Sequence, residues 1–253
     1  MQILGTRIDG IRRNEALDRV RGFLVSDDQH MVVTPNPEIL VAAMEDHDFR
    51  DILNSASLSV PDGFGVILMG RLLGEEISER ITGVDFLDDL MCLADETGHA
   101  VCFIGGHHDE IPRRAGDRFV ERYPSLNIVH TESGGDVFLT DDSWEMDDEL
   151  LNRIRGAEPA ILIVGFGHGK QEKWINDFLS ELPSVKVAMG VGGALDFWAG
   201  EIRRAPQWMR AIGFEWLWRL VHEPYRWKRI VTAVIIFPFY IFKDHLLNRH
   251  IVP

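Results

Sequence analysis

Only two cysteines occur in 253 residues, Cys92 and Cys102. They stand ten positions apart in apolar sequence and read as buried free thiols, so neither a disulfide framework nor a cysteine-rich zinc site is expected. Also missing is any apolar stretch of about 18 residues, which excludes an ordinary membrane-spanning helix. The opening MQILGTRIDGIRR lacks the apolar h-region of a secretory leader, so none is expected. Positive charge is scarce: 26 Lys/Arg face 40 Asp/Glu, a formal net charge of −14. An acidic body argues against a nucleic-acid partner, which needs a basic face.

The basic charge that is present gathers at one end. Residues 201–253 hold nine Lys/Arg against four Asp/Glu, whereas residues 1–200 hold 17 against 36. In the acidic part, strand-like runs at 30–34, 57–60, 100–104, 126–130, 160–164 and 185–189 alternate with helical patterns. The helices are expected over about 37–46, up to 72, and over 84–96, 110–122, 148–155 and 170–180. Strands without polar alternation, separated by helices, predict an α/β fold: a Rossmann-like, mostly parallel sheet with helices on both faces. Ligands in such folds bind outside the carboxyl ends of the strands.

From Arg203 the strand signals vanish, and Trp208, Trp216, Trp218 and Trp227 make up four of the seven tryptophans. Residues 201–253 are therefore read as a helical, arginine-rich, membrane-associating C-terminal appendage. Within it Ile230–Phe242 is uncharged throughout. A helix of this length spans about 20 Å, short of the roughly 30 Å hydrocarbon core. Pro238 is expected to break or kink it. The run reads as a buried helix, as a contact in a homo-oligomer, or as an element partly inserted at a membrane surface. Flanking Lys/Arg and Trp/Tyr favour the last.

Several strand ends carry candidate chemistry. Asp62, in Pro61–Asp62–Gly63, reads either as a general base or as part of a turn. Thr34 and Asn36 read as ligand contacts or as caps of the next helix. Arg80 reads as a solvated or structural arginine or as a phosphate contact. The loop GFGHGKQE, residues 165–172, has glycines that let a backbone approach a diphosphate, followed by a helix N-terminus. It is not a dinucleotide fingerprint, because Lys170 stands where the third glycine belongs, nor is it a Walker sequence. Gly105 closes a strand at Gly105–Gly106, and Gly192 lies in a second glycine turn, residues 190–193, with Asp196 just beyond. No metal site is expected: no HExxH occurs, His107–His108 is an isolated pair, and Asp141–Asp142 and Asp147–Asp148 read as an acidic surface loop.

In order along the chain stand TPNPEIL (34–40), PDGFGV (61–66), ERITGVDF (79–86), FIGG (103–106) and VGFGHGKQEKWI (164–175). GVGGALDFWAGEIRRAPQWM (190–209) and GFEWLWRLVHEPYRWKR (213–229) follow. Together these segments resemble the WecG/TagA/CpsF family of glycosyltransferases over nearly the whole chain. The resemblance implies a Rossmann-like catalytic domain, residues 1–200, completed by the appendage, residues 201–253. It implies inverting, metal-independent transfer of an N-acetylmannosamine-type or related sugar from a UDP-sugar to a polyprenyl-diphosphate-linked saccharide. That reaction serves synthesis of teichoic acid, capsule or other surface glycans, and no cofactor is implied. The enzyme would sit in the cytoplasm, attached peripherally to the inner face of the cell membrane.

By motif, Asp62 resembles the general base, and Thr34 and Gln171 match catalytic-site residues. Asn36, Arg80, Arg219, Arg226 and Arg229 match positions around donor, acceptor and diphosphate, and the strand-end glycines Gly105, Gly167 and Gly192 read as substrate contacts beside them. One position departs: where the family carries proline in its Gly-x-Pro-x-Gln-Glu loop, this chain has Gly169. Without the resemblance, two other classes stay open. One is a membrane-associated nucleotide-sugar-binding scaffold or sensor, and the other is a nucleotide-dependent oxidoreductase.

Overall fold

The computed structural model describes residues 1–74, 77–140 and 143–248. A short hairpin of β1 (Gln2–Ile3) and β2 (Thr6–Arg7) leads to α1 (Arg13–Leu24). Next come β3 (His30–Val33), α2 (Pro37–Glu45), α3 (His47–Ser55), β4 (Leu58–Ser59), α4 (Phe64–Leu72) and α5 (Gly83–Thr97). The middle of the chain holds β5 (Val101–Gly105), α6 (Glu110–Arg122), β6 (Ile128–Glu132), the ribbon β7 (Phe138–Leu139) with β8 (Trp144–Glu145), and α7 (Leu150–Ala157). It continues through β9 (Ile161–Gly165), α8 (Lys170–Phe178), β10 (Val187–Gly190) and α9 (Ala194–Ala199). The remainder is helical: α10 (Gln207–Ala211), α11 (Glu215–His222), α12 (Trp227–Val231), a π turn over Thr232–Ile236, and α13 (Phe237–Asn248).

Six strands form one sheet in the order β4-β3-β10-β9-β5-β6, and every pairing in it is parallel. The inner strands are apolar apart from His30 at the start of β3, because helices cover both faces. One face packs on α1, α5, α6 and α9 through residues such as Phe86, Leu90, Phe103 and Phe119. The other packs on α2, α3, α7 and α8 through Phe49, Leu162, Trp174 and Ile175. A third cluster joins the β1–β2 hairpin and α2 and α4 to the tail, with Phe237 and Ile241 buried beside Ile3, Leu40 and Val66.

Most boundaries agree with the sequence reading, and the exceptions have local causes. β6 starts at Ile128, two residues later than expected, because Leu126 N–H donates to the Tyr123 carbonyl in the turn that closes α6. β10 starts at Val187, since Val185 N–H is similarly held by Leu182. α1 and α3 were not anticipated, although Ala16, Val20 and Leu24 recur at helical spacing beneath the charges of α1. Cys102 is buried as expected, but Cys92 is only half-buried, because it lies toward the outer side of α5.

Of the break or kink expected at Pro238, the break does not occur. The chain stays helical from Trp227 to Asn248, and the π turn sits just before the proline. A π turn is wider than an α turn, which relieves the clash between a proline ring and the carbonyl four residues earlier. The apolar run is two-sided. Phe237 and Ile241 are buried on the body, while Ile235, Phe239 and Phe242 face outward. Among the described residues no helix is long and apolar enough to cross a membrane.

Candidate active site

β3 and β10 are neighbours, yet the helices that follow them, α2 and α9, pack on opposite faces of the sheet. Their N-termini diverge and leave a crevice at the carboxyl edge, where doubly wound sheets bind ligands. The crevice encloses about 630 Å³ and is lined by Thr34, Asn36, Asp62, Gly167, Gln171 and Gly192 from the body, with Arg219, Arg226 and Arg229 from the tail.

Asp62 follows β4, and its Oδ2 accepts from Gly83 N–H at the start of α5, 3.4 Å away. A side chain on Gly83 would come within 3.3 Å of Thr34 Oγ1, so α5 begins flush against the crevice wall. Burial pushes the Asp62 carboxyl up to about 6, and the charge of Glu215 adds to the rise. The Gly83 hydrogen bond and the charges of Arg80 and Arg219 oppose it. A carboxylate so tuned is half ionised near pH 6 and largely ionised at neutral pH, which fits proton abstraction. Arg80 lies 3.9 Å from Glu215, so both charges bear on Asp62 as a pair. Replacing Glu215 with Gln is therefore expected to shift the acid limb of the pH–rate profile to lower pH. An unmoved limb in initial-rate measurements would show that Glu215 has no such influence.

The two glycine turns are tied together by one buried side chain. Gln171 Oε1 accepts from Gly192 N–H at 2.8 Å, and its Nε2 donates to Glu172 Oε1 at 2.7 Å. Glu172 Oε2 in turn accepts from Gly169 N–H at 2.7 Å. Burial raises the Glu172 carboxyl to about 6, with these donors pulling the other way. Gly169 has φ +82°, a value closed to proline, so the loop here takes a path the family's proline cannot follow.

The tail supplies the cations. Arg219 lies 4.7 Å from the Phe197 ring centroid. Arg226 pairs with buried Glu223 at 2.5 Å, and Arg229 pairs with Glu38 of α2 at 2.5 Å while approaching His168 Nδ1 at 3.4 Å. Burial, then the Arg229 charge, lowers the His168 pKa and favours the neutral imidazole. Arg204 fixes the start of the tail: its guanidinium holds Asp85 at 2.5 and 2.7 Å and Thr82 Oγ1 at 3.2 Å. Burial would raise the Asp85 carboxyl, but Arg204 and Thr82 outweigh it and bring it to about 2.

The structure thus brings most of the sequence-selected residues into one crevice. Asn36 both lines it and caps α2, its Oδ1 accepting from Glu38 and Ile39 N–H at 3.0 Å each. Arg80 lines an adjoining cavity together with Glu215. Gly105 stands apart, at the end of β5 with φ +115°, where a Cβ would fall 2.5 Å from the Gly165 backbone. Gly105→Ala should therefore lower unfolding free energy by about 2 kcal/mol or more in urea titration. Residues not singled out from sequence are Glu38, Glu172, His168, Arg204 and Glu215. Glu172 and His168 lay within the chosen loop, but the others declare themselves only through distant partners. Among the described residues, no three His, Cys, Asp or Glu side chains group to hold a metal ion. Asp147 pairs with Arg153 at 2.8 Å, and Asp141 and Asp142 lie outside the described residues.

The chain matches the glycosyl transferase WecG/TagA/CpsF family over residues 1–251. It is 32% identical over 203 residues to an N-acetylglucosaminyldiphosphoundecaprenol N-acetyl-beta-D-mannosaminyltransferase of Bacillus subtilis (strain 168), covering 80% of this chain and 75% of that protein. It is 30% identical over 253 residues to proteins of the same name from Staphylococcus aureus strains MRSA252 and MW2, covering 99% of this chain and 94% of each relative. With an all-parallel sheet, a carboxylate at its switch point and the family's motifs along its length, the chain belongs to the WecG/TagA/CpsF family of glycosyltransferases.

Proposed function

We propose that this glycosyltransferase moves an N-acetylmannosamine-type sugar from UDP to a hydroxyl of a polyprenyl-diphosphate-linked saccharide, with inversion at the anomeric carbon. The observation that carries the reading is the convergence of Asp62 with Arg219, Arg226 and Arg229 on one crevice. Asp62 takes the proton of the acceptor hydroxyl, that oxygen attacks the anomeric carbon, and the bond to the UDP oxygen breaks. The negative charge that develops on UDP is met by guanidinium groups and by the glycine-loop N–H groups that remain unengaged. Thr34 and Asn36 line the same space and serve to orient the sugars. The relatives are named for mannosaminyl transfer onto a diphosphoundecaprenol acceptor, which supports this choice.

In this reading residues 1–200 form the catalytic body, and residues 201–253 complete the site and dock at a membrane surface. Exposed Trp208, Tyr225 and Trp227, beside Arg210, Lys228 and Lys243, suit a headgroup layer. The test is incubation with UDP-sugars and a synthetic prenyl-diphosphate N-acetylglucosamine, followed by anomer analysis of the product. A β-linked disaccharide is expected. Nucleotide-sugar binding without turnover, given a competent lipid acceptor, would overturn the reading in favour of a sensor.

A further inference from the structure

Beside the polar crevice lies a second cavity of about 900 Å³ that shares Asp62 with it. Its walls are of a different kind. α4 contributes Phe64, Gly65 and Leu68, and the π turn and the start of α13 contribute Ala233, Val234 and Pro238. Charge is confined to one end, where Asp62, Arg80 and Glu215 stand. The other end merges with outward-facing apolar side chains, Leu72 on α4 and Ile235 and Phe239 on the tail.

Two features shape the walls of this space. Gly65 lets α4 pack closely on Pro37, since a Cβ there would lie 3.2 Å from the proline ring. The π turn widens the tail helix beside the cavity, and π turns recur at functional sites.

We infer that this cavity is the acceptor's lipid groove: it seats the isoprenoid units next to the diphosphate, while the acceptor sugar reaches Asp62. The inference rests on the proposed transfer to a prenyl-linked acceptor. An acceptor of that class is itself graded, with a neutral sugar hydroxyl, an anionic diphosphate and then a hydrocarbon chain. The cavity shows the same order, with the base and the Arg80–Glu215 pair inside, apolar walls next, and an apolar rim outside. A donor nucleotide has no hydrocarbon to place there, and its charge suits the arginine crevice instead.

The groove predicts that the enzyme reads lipid as well as sugar. The test compares two acceptors with the same N-acetylglucosaminyl diphosphate, one carrying several isoprene units and one a short alkyl group, in detergent micelles with the full chain. Leu68→Asp and Val234→Asp place a carboxylate on opposite walls at positions already partly exposed, which spares the fold. Each should raise KM for the isoprenoid acceptor by about tenfold or more, from lost burial of several methylene-sized groups. Their kcat, their donor KM and their KM for the short acceptor should stay as in the parent. Val120→Asp, on the exposed side of α6 and away from the groove, should leave all of these constants unchanged. Equal effects on both acceptors, no effect on either, or an equal effect of Val120→Asp would overturn the groove and leave the proposed transfer standing. Failure of the parent chain to glycosylate either acceptor would bring down the transfer reading, and the groove with it.

Discussion

Asp62→Asn is expected to lower the turnover of sugar transfer by about 10²–10⁴-fold, the usual contribution of a positioned general base. Asn keeps the shape and can still receive the Gly83 N–H on its amide oxygen, so the crevice wall and the fold should persist. Donor affinity should change little, because the diphosphate contacts lie with the arginines and glycine loops. The parent enzyme should show an acid limb near pH 6, since burial and Glu215 lift the carboxyl to about that value. The sign follows from the role: the ionised form accepts the proton, so rate rises as pH rises through about 6. The Asn variant should lose that limb along with its rate. Near-normal turnover by a folded Asp62→Asn enzyme would remove Asp62 from the mechanism.

The second large effect is expected at Arg219. Arg226 and Arg229 already face Glu223 and Glu38, whereas Arg219 lies over Phe197 and has no carboxylate in an ion pair among the described residues. It is the cation with most charge left for a leaving diphosphate. Arg219→Ala should cost about 10²–10³-fold in kcat, the range for loss of one group that stabilises developing charge. Thermal stability should hardly move, because no buried carboxylate is left unpaired. Arg226→Ala differs in this respect: it strands Glu223 and should reduce stability as well as rate. Arg219→Lys should recover only part of the loss, since an ammonium lacks the planar fork. A stability loss matching the rate loss in Arg219→Ala would assign the residue to the fold instead.

The sheet was legible because its strands are apolar without alternation and its helices lie between them. Asp62 and Thr34 were legible because strand ends in such sheets meet ligands. Residues whose meaning depends on partners far along the chain were not. Arg229 meets Glu38 across 191 positions, and Arg204 meets Asp85 across 119. No local pattern encodes such a pair. Pro238 misled for a similar reason. Its rule concerns α geometry, and the chain answered with a wider turn whose cost is met by Phe237 and Ile241 packing on the body. Gln171 was selected for the site, and its lining position agrees, but both ends of its amide serve the two glycine turns.

Gly169 gives one of those turns a bond as well as a shape. Its N–H donates to Glu172 at 2.7 Å, and proline has no N–H to give. A proline at 169 in this chain would leave that buried carboxylate oxygen short of a donor and oppose the φ of +82° as well. The glycine is thus a hydrogen-bonded member of the buried polar link between the two turns, and not a hinge.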